Sequence, residues 1–99
     1  EEIVAFGIKH GILIVHDNPY SFVLEPKPKS MLQIAGAMDV ALELNSLSKT
    51  SNMAGWRVGM LAGKPEWIQA VTKVKSNMDS GMFLGIQQGA VAALGLGQD

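Results

Sequence analysis

Ile12-Leu13-Ile14-Val15 is an unbroken apolar run, mostly β-branched and too short for a helix. Such a run reads as a strand buried on both faces, as in a parallel sheet covered by helices. What precedes it agrees. Residues 1–10 carry apolar side chains at Ile3, Val4, Phe6 and Ile8 and stop at Gly11, which reads as a helix tail with glycine just past its end. Helix, glycine and buried strand in succession are the grammar of an α/β fold. Residues 40–44 repeat the pattern as a second buried strand. The segment between the two is long enough for a crossover, which predicts that they run parallel. Residues 58–62 are a third apolar run, whose direction the residues alone leave open.

Between and beyond the strands the punctuation is glycine and proline. Residues 21–30 contain Pro26 and Pro28 and read as an extended surface loop. Residues 31–38, with Gly36 inside, read as a helical turn or short helix. Gly63-Lys64-Pro65-Glu66 is a helix start, with proline suited to the first turn and glutamate to the positive end of the dipole. Trp67, Val71, Val74 and Met78 then recur at helical spacing, a stripe expected to form a core or interface face. Ser80-Gly81 breaks that helix. Residues 85–96, rich in alanine and glycine, suggest a closely packed helix that stops at Gly95 and Gly97. There is no repeat, low-complexity tract or internal domain boundary.

Ninety-nine residues make at most one small domain, and a hydrophobic fraction of 47% with 17% charged residues is ample for a core. A net charge of −1 with scattered basic residues argues against a nucleic-acid partner. No apolar run reaches membrane-spanning length and Glu1-Glu2-Ile3-Val4 is no signal peptide, so no membrane partner is expected. The absence of cysteine removes disulfides and thiolate metal sites and suits a reducing cytoplasm, the expected location. With no initiator methionine and a start that reads as mid-helix, the chain is expected to be a piece of a longer protein.

The chemistry concentrates in Asn45-Ser46-Leu47-Ser48-Lys49-Thr50-Ser51-Asn52-Met53-Ala54-Gly55-Trp56-Arg57-Val58-Gly59. A lysine flanked by serines at the mouth of a buried strand is unusual, because taking an ammonium out of water is costly. A lysine amine in a pocket that favours its neutral form is a nucleophile, able to hold a carbonyl cofactor as a Schiff base. Arg57 and Ser46 can bind the phosphate of such a cofactor, the planar guanidinium being suited to bidentate contact. A solvated lysine in a polar loop is the plainer alternative. The first strand runs out into His16-Asp17-Asn18-Pro19-Tyr20, and ligands of open α/β sheets lie beyond the carboxyl ends of the strands. Asp-Asn-Pro is also good turn chemistry by itself. His16 should point away from Asp17 by strand alternation, as a satisfied core histidine. His10 suits a helix C-terminus as a cation.

The lysine stretch resembles the cofactor-lysine segment of the class I/II aminotransferases, enzymes of fold type I that use pyridoxal 5'-phosphate (PLP). Their pattern is Ser-x-x-Lys, a short turn, then Gly-x-Arg-x-Gly with the arginine eight positions after the lysine. Here it reads Ser46, Lys49, Gly55, Arg57 and Gly59, with Ser51 where relatives often carry an aromatic residue. An aspartate followed three residues later by tyrosine, after a buried strand, matches the family's cofactor-ring segment at Asp17 and Tyr20. The resemblance implies a mostly parallel sheet flanked by helices, with an antiparallel third strand. It implies PLP held by Asp17, Tyr20, Ser46, Ser48, Lys49 and Arg57, with Lys49 as the catalytic Schiff-base residue and no metal. Asp17 would keep the pyridine nitrogen protonated and Tyr20 would hydrogen-bond the ring's phenolic oxygen.

The activity implied is amino-group transfer between an amino acid and a 2-oxo acid, in a homodimer. Residues 1–99 would be a fragment of the PLP-binding large domain, with that domain's N-terminal part and the C-terminal small domain outside the chain. The family's phosphate-binding glycine turn, ring-stacking aromatic, phenolate asparagine and substrate-carboxylate arginine have no counterpart here. Other fold type I enzymes (a lyase, synthase or decarboxylase) share the same signature, as does the aminotransferase-like sensor domain of some transcription regulators. An isolated 99-residue piece is expected to be catalytically inert.

Overall fold

The computed structural model describes residues 1–25 and 27–96. Pro26 and Gly97, both read above as punctuation, lie outside the described residues. Three strands, β1 (Ile14–Asp17), β2 (Ala41–Ser46) and β3 (Gly59–Gly63), form one sheet in that order. β1 and β2 run parallel, with Ile14 opposite Ala41 and Asp17 opposite Leu44. β3 is antiparallel to β2, with Leu42 opposite Gly63 and Ser46 opposite Gly59. The α/β class holds, the β1–β2 crossover is parallel as its length requires, and β3 turns back as the resemblance implies.

Helix α1 (Glu2–His10) precedes β1. It ends where Gly11 takes left-handed angles, φ 63° and ψ 35°, and donates its N–H to the carbonyl of Gly7. That conformation is easy for glycine and strained for other residues. Gly7 serves a different purpose. A Cβ there would lie 2.8 Å from Ile14 Cδ1 and 3.0 Å from the Ile12 carbonyl, so its absence lets α1 lie close against β1. Val4 on the same helix packs with Ala37 and Ala41, and Ile14, Met31, Leu32, Ile34 and Val40 close around them. This cluster covers one face of the sheet. A second cluster of Leu47, Met53 and Val58 lies under the lysine turn, against Ile86, Ala90 and Ala93.

Several expectations need correction. β1 is not buried on both faces: it starts at Ile14, alternates half-buried and exposed, and leaves Val15 59% exposed. Among the described residues it has a strand neighbour on one side only, and the first cluster covers one face. The expected loop over residues 21–30 begins with one helical turn, α2 (Ser21–Leu24), where the amide of Val23 donates to the carbonyl of Tyr20. Nothing in Ser21-Phe22-Val23-Leu24 forbids a helix, since the prolines come later. Residues 31–38 do hold the expected helical turn, as a 3₁₀ turn (Met31–Gln33) followed by the start of α3 (Ala37–Val40). Val40 therefore closes a helix, and β2 runs from Ala41 to Ser46. A one-turn α4 (Leu47–Thr50) and a 3₁₀ turn (Ala54–Trp56) link β2 to β3.

The last two helices, α5 (Pro65–Asp79) and α6 (Leu84–Gly95), have their expected bounds to within a residue or two. The stripe on α5 is no core within this chain: Val74 is exposed and Met78 is 75% exposed. α6 packs through Ile86, Ala90 and Ala93, and leaves Val91 and Leu94 exposed.

Candidate active site

β2 ends at Ser46, and its hydroxyl organises the turn that follows. Ser46 Oγ accepts the backbone N–H of Ser48 at 3.1 Å, capping α4, and donates to the carbonyl of Val58 at 3.4 Å. Thr50 Oγ1 donates back to the Ser46 carbonyl at 3.2 Å. The amide of Leu47 donates to the Val58 carbonyl at 3.1 Å, and the Leu47 carbonyl accepts from Ser51 and Met53, each at 3.2 Å. Buried Leu47 anchors the turn below, while Lys49 projects from its last residues into solvent. Lys49 thus stands exposed at the sheet edge, where the sequence pattern suggests a pocket around the amine.

Asp17 is the last residue of β1 and is exposed. The parallel ladder continues one step past it, the amide of Asn18 donating to the carbonyl of Leu44 at 2.9 Å. Both parallel strands therefore run out at one edge of the sheet, and Asp17 and Ser46 both sit there. Tyr20 follows Asp17 by three residues. The Lys49 Nζ lies 5.9 Å from the centre of its ring, within reach of a cation–π contact.

Arg57 sits in the left-handed region, φ 55° and ψ 49°, directly after the 3₁₀ turn. A non-glycine residue there costs on the order of 1 kcal/mol. Its Nη1 donates to the carbonyl of Ala54 at 3.0 Å. Its neighbour Trp56 packs against α6, where a Cβ on Gly89 would come within 2.6 Å of the indole Cζ3. The turn carrying Arg57 is thereby braced from the far end of the chain. Among the described residues neither Lys49 nor Arg57 has an acidic partner, and Asp17 has no basic one. An amine, a guanidinium and a carboxylate are all available to a ligand.

Sequence reasoning passed over Glu43. It lies in β2 at 5% exposure, the one buried charged residue among those described. Its Oε2 accepts from Ser30 Oγ and from the Met31 amide, each at 2.8 Å, and its Oε1 accepts from Asn45 Nδ2 at 3.1 Å. Burial pushes its carboxyl up, but hydrogen bonds from Ser30, Asn45 and the Met31 amide, with the His16 ring close by, outweigh that, holding it below the ordinary 4.5. His16 faces Glu43 as strand alternation predicts. It is not fully satisfied: its buried Nδ1 lies 3.5 Å from Glu43 Oε2, an ion-pair distance short of a well-formed hydrogen bond. The available signal was a lone charge interrupting the apolar run of residues 40–44. A pocket of about 340 Å³ opens on this side of β2, lined by Phe22, Ser30, Glu43, Asn45, Thr50 and Met60 among others.

Among the described residues no group of three or more histidines and acids is placed to hold a metal ion. No described helix is long and apolar enough to cross a membrane.

The chain and its fold are similar to known proteins. The family model for aminotransferase class I and II matches residues 1–98. LL-diaminopimelate aminotransferase 2 of Trichormus variabilis is 50% identical over 95 residues, covering 94% of this chain and 24% of that protein. LL-diaminopimelate aminotransferase of Gloeobacter violaceus is 51% identical over 98 residues, covering 97% and 25%. Among solved structures, substrate-bound BacF of Bacillus subtilis superposes with a TM-score of 0.91 at 41% identity, over 97% of this chain and 25% of that one. A probable N-succinyldiaminopimelate aminotransferase of Thermus thermophilus gives 0.88 at 36% identity, over 94% and 26%. The chain spans about a quarter of the length of these relatives. With the family model matched from Glu1 through Gln98, the chain belongs to the aminotransferase class I and II family.

Proposed function

We propose that these residues are the central part of the cofactor-binding large domain of a PLP-dependent aminotransferase, which moves an amino group between an amino acid and a 2-oxo acid. The observation that carries the reading is the exposed amine of Lys49 beside the Tyr20 ring, at the sheet edge where Asp17 also ends its strand. The donor set fits PLP. An unpaired amine suits the aldehyde, an unpaired guanidinium suits the phosphate, and an unpaired carboxylate suits the pyridine nitrogen. When bound, PLP supplies an aldehyde and an electron-withdrawing ring that stabilises negative charge at the substrate α-carbon.

The chain's own residues then have distinct tasks. Lys49 Nζ would hold the cofactor through its aldehyde carbon, and as a free amine would take and return the proton at the substrate α-carbon. The carboxylate of Asp17 keeps the pyridine nitrogen protonated. The hydroxyl of Tyr20 donates to the phenolic oxygen. Arg57 and the hydroxyl of Ser48 hold the phosphate, with Ser46 fixing the turn beneath them. Relatives named LL-diaminopimelate aminotransferase support a diamino dicarboxylic acid as the amino donor. The uncovered stripe on α5 supports burial against further protein, as in a homodimer, and a chain without cysteine suits the cytoplasm.

The test is borohydride reduction of the full-length protein loaded with PLP, followed by peptide mapping. A single pyridoxyl group on Lys49 is expected, together with amino transfer from LL-diaminopimelate to a 2-oxo acid. Label on Lys73 or Lys75 instead would overturn the assignment.

A further inference from the structure

Every polar group around the Glu43 carboxylate is a donor or must become one. Ser30 Oγ, the Met31 amide and Asn45 Nδ2 donate to it at 2.8, 2.8 and 3.1 Å. His16 Nδ1 faces the same carboxylate at 3.5 Å and is buried with no hydrogen-bond partner among the described residues. If Nδ1 carried a lone pair, two acceptors would face each other out of water, so the arrangement requires a proton on Nδ1. Two of these partners adjoin the candidate site. His16 directly precedes Asp17, and Asn45 directly precedes Ser46. Successive side chains of a strand point to opposite faces. Anchoring His16 and Asn45 on one face therefore fixes the backbone that presents Asp17 and Ser46 on the other. The third anchor ties in the incoming loop, where Ser30 Oγ also accepts the Leu32 amide at 3.1 Å.

We propose that Glu43 is a positioning residue for the cofactor site: one buried carboxylate, gathering His16, Asn45 and the Ser30–Met31 segment, holds in place the strand ends that carry Asp17 and Ser46. The proposal rests on the reading of those two residues given above. It requires an acceptor on both carboxylate oxygens. The isosteric amide would offer one uncharged oxygen to Ser30, Met31 and His16 and turn its NH₂ group toward Asn45, whose own amide would have to flip, so Glu43→Gln is disruptive although it conserves volume. At His16 the requirement is a donor at the Nδ1 position, which the amide of asparagine can supply and leucine cannot.

The test uses the full-length protein. Nitrogen-15 NMR of the histidine-labelled, cofactor-free protein is expected to show His16 Nδ1 protonated; an unprotonated Nδ1 would overturn the proposal. PLP titrations then compare wild type with Glu43→Gln, His16→Asn and His16→Leu, each checked for folding by thermal melting. Glu43→Gln and His16→Leu are expected to weaken PLP binding about tenfold, the scale of one unmet buried donor, and His16→Asn to stay near wild type. Equal affinity in wild type and Glu43→Gln overturns the role of Glu43, as does equal loss in the two His16 variants. If Glu43→Gln does not fold, the two His16 variants decide. A wild type that binds no PLP at Lys49 overturns the reading of the site itself and this proposal with it. Binding by wild type with indifferent variants overturns the positioning role alone.

Discussion

Asp17 stands opposite Leu44 in the parallel register, so β1 stops two residues short of the end of β2 at Ser46. The stagger brings Tyr20, three residues beyond one strand end, beside Lys49, three residues beyond the other. Among the described residues Asp17 makes no salt bridge, which leaves its carboxylate free for the proposed contact with a pyridine nitrogen. Asp17→Ala in the full-length enzyme is expected to retain PLP and lower turnover by about a hundredfold or more, the scale of a lost acid–base partner. Asp17→Glu should lose less. Turnover near wild type in the alanine variant would make Asp17 a turn residue only.

Gly89 is expected to tolerate no side chain. Gly89→Ala places a Cβ 2.6 Å from Trp56 Cζ3, so the ring has to shift, and the turn that carries Arg57 is expected to follow it. Overpacking of this kind costs about 1–3 kcal/mol. Because the strain reaches Arg57, affinity for PLP should fall more than affinity for pyridoxal, which has no phosphate. Pairing Gly89→Ala with Trp56→Phe should recover part of the loss in a double-mutant cycle. Strict additivity would show that the two residues do not share this strain.

The depressed pKa of Glu43 fixes the direction of its pH dependence. A carboxyl held below its unfolded value stabilises the fold fully above about 4.5 and loses that contribution as pH falls through the folded value. Urea unfolding of wild type and Glu43→Gln should therefore differ most near neutrality and converge in acid. A difference that grows as pH falls would contradict the assignment.

The 99-residue chain produced by itself is expected to self-associate. Val74, Met78 and Phe83 present large apolar surfaces to solvent, and both outer strands of the sheet lack a further partner strand among the described residues. Sedimentation should report oligomers or aggregates. A monodisperse monomer that binds PLP stoichiometrically would show that the surrounding chain contributes little to this core.

The lysine turn was legible because its determinants are local. Ser46, Lys49, Gly55, Arg57 and Gly59 lie within one stretch, and the turn is capped by Ser46 and closed by Leu47, Met53 and Val58 of that same stretch. Helix ends at Gly11 and Pro65 were legible for the same reason. Glu43 was not, because its meaning comes from Ser30 and His16, far away in sequence. The stripe on α5 was legible as apolar, but periodicity alone could not tell a core from a face that this chain leaves bare. The exposure of β1 was hidden likewise, since an apolar run does not state how many of its sides are covered.

The unequal connections on either side of β2 also bear on the order of assembly. Residues 47–58 return the chain to β3, whereas residues 18–40 separate β1 from β2. Short-range pairings close sooner than distant ones. The antiparallel hairpin is therefore expected to form early, setting the amine and guanidinium on one local unit, while the carboxylate of Asp17 docks last. Pulsed hydrogen exchange during refolding of the full-length protein should show the amides of β3 protected ahead of those of β1. An early intermediate would then already display Lys49 and Arg57, and would wait for Asp17 before the proposed cofactor contacts could all form.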